Sequence, residues 1–190
     1  MLFKTSHLHD FLRSLILPLR EIDNALPKKG QIYDLGCGEG VISKFLAKVK
    51  TREVIGIDSN KTRLQKSTLK NLNFMYRDIR TFNFKSADGV VISDVLHHLE
   101  FKDQKKVLYF VFQGLKKNGV MVVKEIDAGE FIRSKLSRFW DLVLYPNDKI
   151  YYQNSKNLRN FLNGLGFKVK IVRASRFFPG STTLFICQKL

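Results

Sequence analysis

The sequence has few cysteines and no long apolar run. Cys37 and Cys187 are the only cysteines in 190 residues. Two are too few for a disulfide framework or a metal cluster, and this usage is typical of a reducing compartment. No stretch approaches about eighteen consecutive apolar residues, which excludes a transmembrane helix. Residues 1–17 lack a basic region followed by an uninterrupted apolar stretch, so we expect no secretory signal and a cytoplasmic location.

Acidic residues are also scarce. The chain has 17 Asp and Glu against 33 Lys and Arg, which gives a formal net charge of +16. The excess is uneven, because residues 1–30 carry +2, residues 31–100 carry +3 and residues 101–190 carry +11. A positive field of this size favours anionic partners such as nucleic acid, phospholipid surfaces or acidic small molecules. Charge alone does not choose among them.

Short apolar runs alternate with amphipathic stretches of helical length, a pattern typical of βαβ units and a largely parallel sheet. The connection through Phe178-Pro179-Gly180 is too short for a crossover helix, so the last strand should be antiparallel to its predecessor. With 44% hydrophobic residues, we expect one α/β domain, a three-layer α/β/α sandwich around a seven-stranded, mostly parallel sheet. The predicted strands are Gln31–Leu35, Val54–Asp58, Phe74–Tyr76, Gly89–Ser93, Val120–Lys124, Lys168–Arg173 and Thr183–Gln188. The predicted helices are Val41–Val49, Thr62–Leu69, Asp103–Leu115, Phe131–Leu144 and Ser155–Leu165, with a turn at Lys116–Gly119.

A glycine-rich turn, Asp34-Leu35-Gly36-Cys37-Gly38-Glu39-Gly40, follows the first predicted strand. Its glycines permit close approach of a ligand to the backbone, and the following helix presents free N–H groups. Asp58 ends the second strand, where a carboxylate can accept hydrogen bonds from both hydroxyls of a ribose. The third glycine is one residue early for a dinucleotide fingerprint, and the Gly-Lys-Ser/Thr of a P-loop is absent. The leading aspartate would repel a pyrophosphate but suits a ligand with an ammonium group.

Four motifs follow this turn: Asp58-Ser59, Arg77-Asp78-Ile79, residues 93–99 and residues 115–120. From about Gln31 to the C-terminus, the five together resemble class I S-adenosylmethionine-dependent methyltransferases in order and spacing. The resemblance implies a Rossmann-like fold and S-adenosyl-L-methionine as cofactor, with S-adenosyl-L-homocysteine as product. It implies a cofactor-binding core at residues 29–128, an acceptor-side part at 129–190, and a helical lead-in at 1–28 that is a candidate lid. By resemblance, the cofactor-binding residues are Asp34, Gly36, Cys37, Gly38 and Gly40 for the methionine part, Asp58 and Ser59 for the ribose, Asp78 and Ile79 for the adenine, and Ser93 and Asp94 at the end of strand four.

Methyl transfer requires mainly that the nucleophile, the methyl carbon and the sulfur are aligned. A hydroxyl or protonated amine acceptor also needs a base, and His97 and His98 after strand four are candidates. The alternative is that His97 packs near the cofactor and that His98 caps or lines the next segment. Adjacent histidines point apart and no third ligand presents itself, so no metal site is expected.

Carboxylates after strand five are further candidate catalytic residues. Glu125 and Asp127 occupy alternate positions and should share one side of an extended segment. The alternative is that they pair with Lys124, Arg133 or other cations of this basic part. Tyr151 and Tyr152, just before the last helix, are candidates to hydrogen-bond the substrate, or they belong to the core.

The sequence after strand four bears on the acceptor. Base-methylating relatives carry Asn/Asp-Pro-Pro-aromatic there, whereas this chain has Ser93-Asp94-Val95-Leu96. At this position the chain is more similar to enzymes that act on small metabolites, quinone or polyketide precursors and lipids. We therefore expect in-line methyl transfer to a small-molecule or lipid-like acceptor, including anionic ones. The alternatives are an RNA methyltransferase that uses the basic C-terminal half, and a catalytically inactive cofactor-binding partner subunit.

Two segments carry apolar stripes at helical spacing. Pro18 is expected to kink or divide the helix of the lead-in. The second segment, residues 131–145, adds basic residues to its stripe and would suit peripheral contact with an anionic membrane surface. The alternative is that each stripe packs on the protein's own sheet. The stripes are Leu8, Phe11, Leu12, Leu15, Ile16 and Leu19, and Phe131, Ile132, Leu136, Phe139, Trp140 and Val143.

Overall fold

The computed structural model describes residues 17–64, 66–126, 150–173 and 182–190. These residues contain all seven predicted strands, with ends that differ by a few residues. The strands are β1 (Gly30–Leu35), β2 (Arg52–Asp58), β3 (Leu72–Tyr76), β4 (Ala87–Ser93), β5 (Leu115–Ile126), β6 (Phe167–Arg173) and β7 (Thr182–Lys189). The helices in this part of the chain are α1 (Leu19–Ala25), α2 (Val41–Leu46), α3 (Phe101–Gly114) and α4 (Ser155–Gly164), with a 3-10 turn at Leu96–His98.

The strands form one sheet in the order β3-β2-β1-β4-β5-β7-β6. The first five strands of this order are parallel, and β7 lies antiparallel between β5 and β6. The predicted antiparallel last strand is therefore confirmed. Its register places Val123 of β5 opposite Phe185 of β7, so both strands supply the same apolar face.

Helices cover both faces of the sheet. Leu108 of α3 and Leu162 of α4 lie in one apolar cluster with Phe185. Ile22 of α1 and Leu46 of α2 lie in a second cluster on the opposite face. This arrangement is the predicted three-layer sandwich, and the sheet positions the ends of β1, β2, β4 and β5 along one edge.

The predicted helix at Thr62–Leu69 is wrong in the residues described. Residues 61–63 form a turn, and residues 64 and 66–68 have no regular structure. Asn60 Oδ1 accepts the Thr62 N–H at 3.0 Å, and Ser67 Oγ accepts the Leu69 N–H at 3.0 Å. Such local bonds from side chains to the backbone compete with the helical pattern, which explains the failure of the periodicity.

The predicted turn at Lys116–Gly119 is present, but it bulges out of the strand β5. Ala87 pairs with Leu115 and Gly89 with Val120, so the residues between bulge out, with Asn118 at a φ of +64°. Helix α1 begins directly after Pro18. Several predictions concern residues outside the described part of the chain. These are residues 1–16, Asp127, the predicted helix Phe131–Leu144 and the Phe178-Pro179-Gly180 connection. No described helix has the length and apolar character needed to span a membrane.

Candidate active site

The glycine-rich turn joins β1 to α2. Gly36, Gly38 and Gly40 have φ angles of +76°, +55° and +78°, in the left-handed region that favours glycine. A Cβ at Gly36 would lie 2.3 Å from a methyl carbon of Val95, and one at Gly40 would lie 2.4 Å from the ring of Phe74. Backbone conformation and close packing therefore both require glycine in this turn.

Two carboxylates flank the turn at the ends of neighbouring strands. The Asp58 carboxylate accepts the N–H of Gly38 and the N–H of Asn60, each at 2.8 Å. Asp34 accepts the Ser43 hydroxyl at 2.5 Å, which ties the end of β1 to α2. Both aspartates are buried. Ser59, which follows Asp58, is exposed.

Cys37 lies between these carboxylates. Burial raises the pKa of its thiol well above the usual range, and the negative charges of Asp34 and Asp58 raise it further. The thiol therefore stays protonated at neutral pH and contributes no nucleophile.

Asp78 and Ile79 lie in the turn that follows β3. Arg80 donates to both carboxylate oxygens of Asp78, with Nη2 2.6 Å from Oδ2. This hydrogen bond is the main cause that holds the pKa of Asp78 below its usual range. Ile79 is buried in the apolar cluster under α3 and α4. The predicted adenine residues thus adjoin the end of β3, and the Asp78 carboxylate has Arg80 as a partner that was not predicted from the sequence.

Ser93 ends β4, and Asp94 follows it. Asp94 has a φ of +57°, and its Oδ1 accepts from Lys124 Nζ at 2.5 Å. The sequence offers Lys124 as a partner for Glu125 or Asp127, but the lysine pairs with Asp94. The register explains this pairing, because Ser93 of β4 lies opposite Lys124 of β5. In the sequence, Lys124 is recognisable as the single basic residue at the end of the apolar run Val120–Val123.

His97 and Glu125 are brought together, although 28 positions separate them in the chain. His97 Nδ1 lies 2.6 Å from Glu125 Oε2, and Glu125 Oε1 accepts the N–H of Leu96 at 2.8 Å. Both side chains are buried. The 3-10 turn after β4 is therefore fastened to the end of β5 by one carboxylate, and Nδ1 is the ring nitrogen that faces it.

The two candidate tyrosines lie at the same place. The His97 ring centroid is 5.4 Å from that of Tyr152, with 24° between the planes, and 4.3 Å from that of His98. The Tyr151 N–H donates to the His97 carbonyl at 2.7 Å. His97, His98, Glu125, Tyr151 and Tyr152 therefore form one group at the carboxyl ends of β4 and β5.

Gln104, a buried residue of α3, is not among the site residues predicted from the sequence. Its Nε2 donates to the carbonyls of Leu99 and Tyr151, each at 2.9 Å. Its Oε1 accepts from Gln153 Nε2. A signal was present, because Gln104 is a polar residue at helical spacing with the apolar positions Val107, Leu108 and Val111.

Comparisons with known proteins agree with this geometry. The family model for the methyltransferase domain matches residues 5–170. A carboxy-S-adenosyl-L-methionine synthase of Staphylococcus epidermidis is 28% identical over 109 residues, which span 54% of this chain and 48% of that relative. The chain thus covers about half the length of that relative.

Solved structures share the fold. An S-adenosylmethionine-dependent methyltransferase from Archaeoglobus fulgidus superposes with a TM-score of 0.75 and 18% identity, over 95% of this chain and 94% of that one. Magnesium protoporphyrin IX methyltransferase from Synechocystis, solved with bound S-adenosyl-L-homocysteine, gives a TM-score of 0.73 and 18% identity, over 96% and 86%. The match of the family model over most of the chain, together with this shared fold, shows that the chain belongs to the methyltransferase-domain family and has the fold of S-adenosylmethionine-dependent methyltransferases.

Proposed function

We propose that this protein transfers a methyl group from S-adenosyl-L-methionine to a small-molecule or lipid-like acceptor, with His97 as the base. The observation that carries the proposal is the buried His97–Glu125 pair at the carboxyl ends of β4 and β5. This edge also carries the glycine-rich turn, and ligands of open α/β sheets bind outside the carboxyl ends of the strands.

The residues of the turn fit the cofactor. A carboxylate has about four acceptor positions, and Asp58 uses one at each oxygen for a backbone N–H. Each oxygen therefore retains capacity for a ribose hydroxyl. Asp34 and Asp58 give this edge negative charge that suits an ammonium and a sulfonium group, whereas the charge of Asp94 is paired with Lys124. When bound, the cofactor supplies an activated methyl group, and the resemblance assigns the adenine to Asp78 and Ile79.

The His97–Glu125 pair suits removal of a proton from a hydroxyl acceptor. A carboxylate can only accept, so Nδ1 of His97 carries the proton and donates it to Glu125. The other ring nitrogen, Nε2, is then the basic one, as in hydrolase triads where a carboxylate orients a histidine. The acceptor's proton passes to Nε2 and Glu125 stabilises the resulting imidazolium. Loss of this proton would make the acceptor oxygen the nucleophile toward the methyl group that the bound cofactor would supply.

Aromatic rings and positive charge suggest the class of acceptor. Phe101 is 50% exposed, and its ring meets that of Tyr151 at 5.7 Å, edge to face. Together with His98 and Tyr152, these rings favour a planar or apolar acceptor body. The charge of +11 in residues 101–190 favours an acceptor with an acidic group, including a lipid headgroup at an anionic membrane surface.

Substitution of Asp58 tests the cofactor assignment. Asp58→Ala should weaken S-adenosyl-L-methionine binding about 10- to 100-fold, because hydrogen bonds to the charged carboxylate are lost. Titration calorimetry measures the change, and the circular dichroism spectrum reports folding. Glu53→Ala, an exposed position on the same strand, is the matched control. Unchanged affinity in a folded Asp58→Ala protein would contradict the assignment.

An RNA methyltransferase is a second candidate function, and one observation favours it. Residues 150–173 contain no acidic residue and expose Lys156, Arg159, Lys168, Lys170 and Arg173. A protein that tracks RNA phosphates with this surface should lose affinity steeply with salt, with a log–log slope of about −0.7 per neutralised phosphate. Filter binding of a single-stranded RNA homopolymer at rising salt measures the slope. A small-molecule enzyme predicts weak retention that Lys168→Ala with Lys170→Ala barely changes.

A further inference from the structure

The segment Tyr151–Gln153, called the strap below, lies across the 3-10 turn that carries His97. Three hydrogen bonds hold the strap, one to the 3-10 turn and two to Gln104 of α3. The Tyr151 N–H donates to the His97 carbonyl, the Tyr151 carbonyl accepts from Gln104 Nε2, and Gln153 donates to Gln104 Oε1. Between these contacts, the Tyr152 ring lies nearly parallel to the His97 ring.

We propose that Gln104 is a positioning residue, which docks the strap so that Tyr152 covers the His97 ring and keeps the base oriented toward Glu125. The proposal rests on the proposed function in that it takes His97 as the base. The placement of the strap by Gln104 is a separate physical statement, and it can be tested without any methyl acceptor.

The burial of Gln104 shows how much depends on its amide. The side chain is 1% exposed and lies beside Val107 and Leu108. A buried amide without partners is costly, but both donor hydrogens and the oxygen of this one are bonded. An apolar residue here would pack as well but would leave the carbonyls of Leu99 and Tyr151 without this donor. The amide therefore specifies one position of the strap relative to α3.

The covering of His97 follows from the same contacts. His97 is 3% exposed, although it lies on a short turn at the edge of the sheet. Tyr152 on one face and Glu125 at Nδ1 together restrict the ring to one orientation. Loss of the Gln104 contacts leaves the strap held by the bond from Tyr151 N–H to the His97 carbonyl. The strap is then loosened, so that Tyr152 uncovers the His97 ring more often, while β4 and β5 keep their pairing.

Chemical modification measures the covering directly. Diethyl pyrocarbonate reacts with neutral imidazole nitrogens that solvent reaches, and tandem mass spectrometry separates His97 from His98. In Gln104→Met, which preserves side-chain volume, we expect the modification rate at His97 to rise about tenfold or more, as loss of the two hydrogen bonds between Gln104 and the strap predicts. The Tyr151 amide should exchange its hydrogen faster, while amides of β4 and β5 keep their protection. Gln113→Met, an exposed position on the same helix, is the matched control.

The outcomes separate the strap from the proposed function. An unchanged modification rate at His97 in folded Gln104→Met overturns the inference, and so does equal loosening of β4 and β5. Gln153→Met leaves Gln104 in place and should shift the rate in the same direction by less, so it serves if Gln104→Met does not fold. With any acceptor that wild type methylates, Gln104→Met should lower kcat while S-adenosyl-L-methionine affinity stays unchanged. Full activity in His97→Asn would refute the base and leave the strap intact.

Discussion

At the scale of single residues, Glu125 bonds to three groups just after β4, which are the N–H groups of Val95 and Leu96 and the ring of His97. One oxygen holds the N–H of Leu96 and the other faces His97 Nδ1, so the carboxylate fixes both the turn and the tautomer of the ring. From the sequence alone, cations such as Lys124 are candidate partners of Glu125. The structure instead pairs Lys124 with Asp94, because successive side chains of β5 point to opposite faces of the sheet.

Replacing Glu125 by glutamine keeps the shape but reverses one hydrogen bond. The amide NH2 of the substituted side chain would donate to His97 Nδ1. The ring proton would then lie on Nε2, and Nε2 could no longer take a proton from the acceptor. For Glu125→Gln we expect a fall in kcat of about 10²- to 10⁴-fold, by analogy with orienting carboxylates of triads. Nitrogen-15 NMR of the His97 ring should show the exchanged tautomer.

Controls make this prediction specific. S-adenosyl-L-methionine affinity should be unchanged, since Glu125 is not among the residues expected to hold the cofactor. Glu21→Gln, at an exposed position of α1, should leave both the spectrum and the rate as in wild type. The assignment of His97 as an oriented base is wrong if Glu125→Gln retains the wild-type tautomer and rate.

At the scale of elements, a buried arginine ties α1 to β2. Arg52 is fully buried, and its guanidinium donates to Asp23 Oδ1 at 2.5 Å, the Asp23 carbonyl at 3.1 Å and the Pro27 carbonyl at 2.7 Å. Asp23 also binds Lys28 Nζ at 2.6 Å. The helix α1 has only seven residues, too few to be stable alone, so this tether and the packing of Ile22 hold it in place.

Removing this tether should destabilise the protein. Arg52→Met should lower the free energy of unfolding by about 3 kcal/mol, the lower end for a broken buried pair, because Asp23 retains Lys28. Lys28→Met is the matched control, and loss of its exposed ion pair should cost about 1 kcal/mol or less. Urea titrations of both variants at pH 7 measure the difference. Equal stability of the two variants would contradict a tethering role for Arg52.

The pH dependence of the tether has a definite sign. Burial raises the pKa of Asp23, but hydrogen bonds from Lys28 and Arg52 outweigh it, so the pKa lies below its usual range. A lowered folded pKa means that the ion pairs stabilise the protein fully above the unfolded pKa of about 3.9. The contribution is lost as the pH falls through the folded value. The stability gap between wild type and Arg52→Met should therefore narrow in acid.

At the scale of the whole molecule, the order of the strands creates the candidate site. From β1 the chain continues toward one edge of the sheet through β2 and β3, and it then returns to the other side of β1 with β4 and β5. Such a reversal opens a crevice at the carboxyl ends of the strands. The turn after β1 and Asp94 after β4 lie on either side of it. The register of β1 and β4 places Leu35 opposite Ile92, so the two ends finish level.

The sequence alone determined the features that depend on neighbours in the chain. The glycine-rich turn, Asp58 at the end of β2 and the alternation of strands and helices follow from local spacing, because glycine conformation and side-chain periodicity act over a few residues. Local reasoning failed at Thr62–Leu69, where side-chain bonds from Asn60 and Ser67 to the backbone replaced the helix.

Only the tertiary structure decided which distant side chains meet. His97 and Glu125, Asp94 and Lys124, and Gln104 and Tyr151 are each at least 28 positions apart in the chain. Their pairing depends on the register of β4 with β5 and on the packing of α3 and the strap against the turn after β4. Sequence periodicity gives the face on which a side chain lies, but register and packing set the distances on which hydrogen bonding depends.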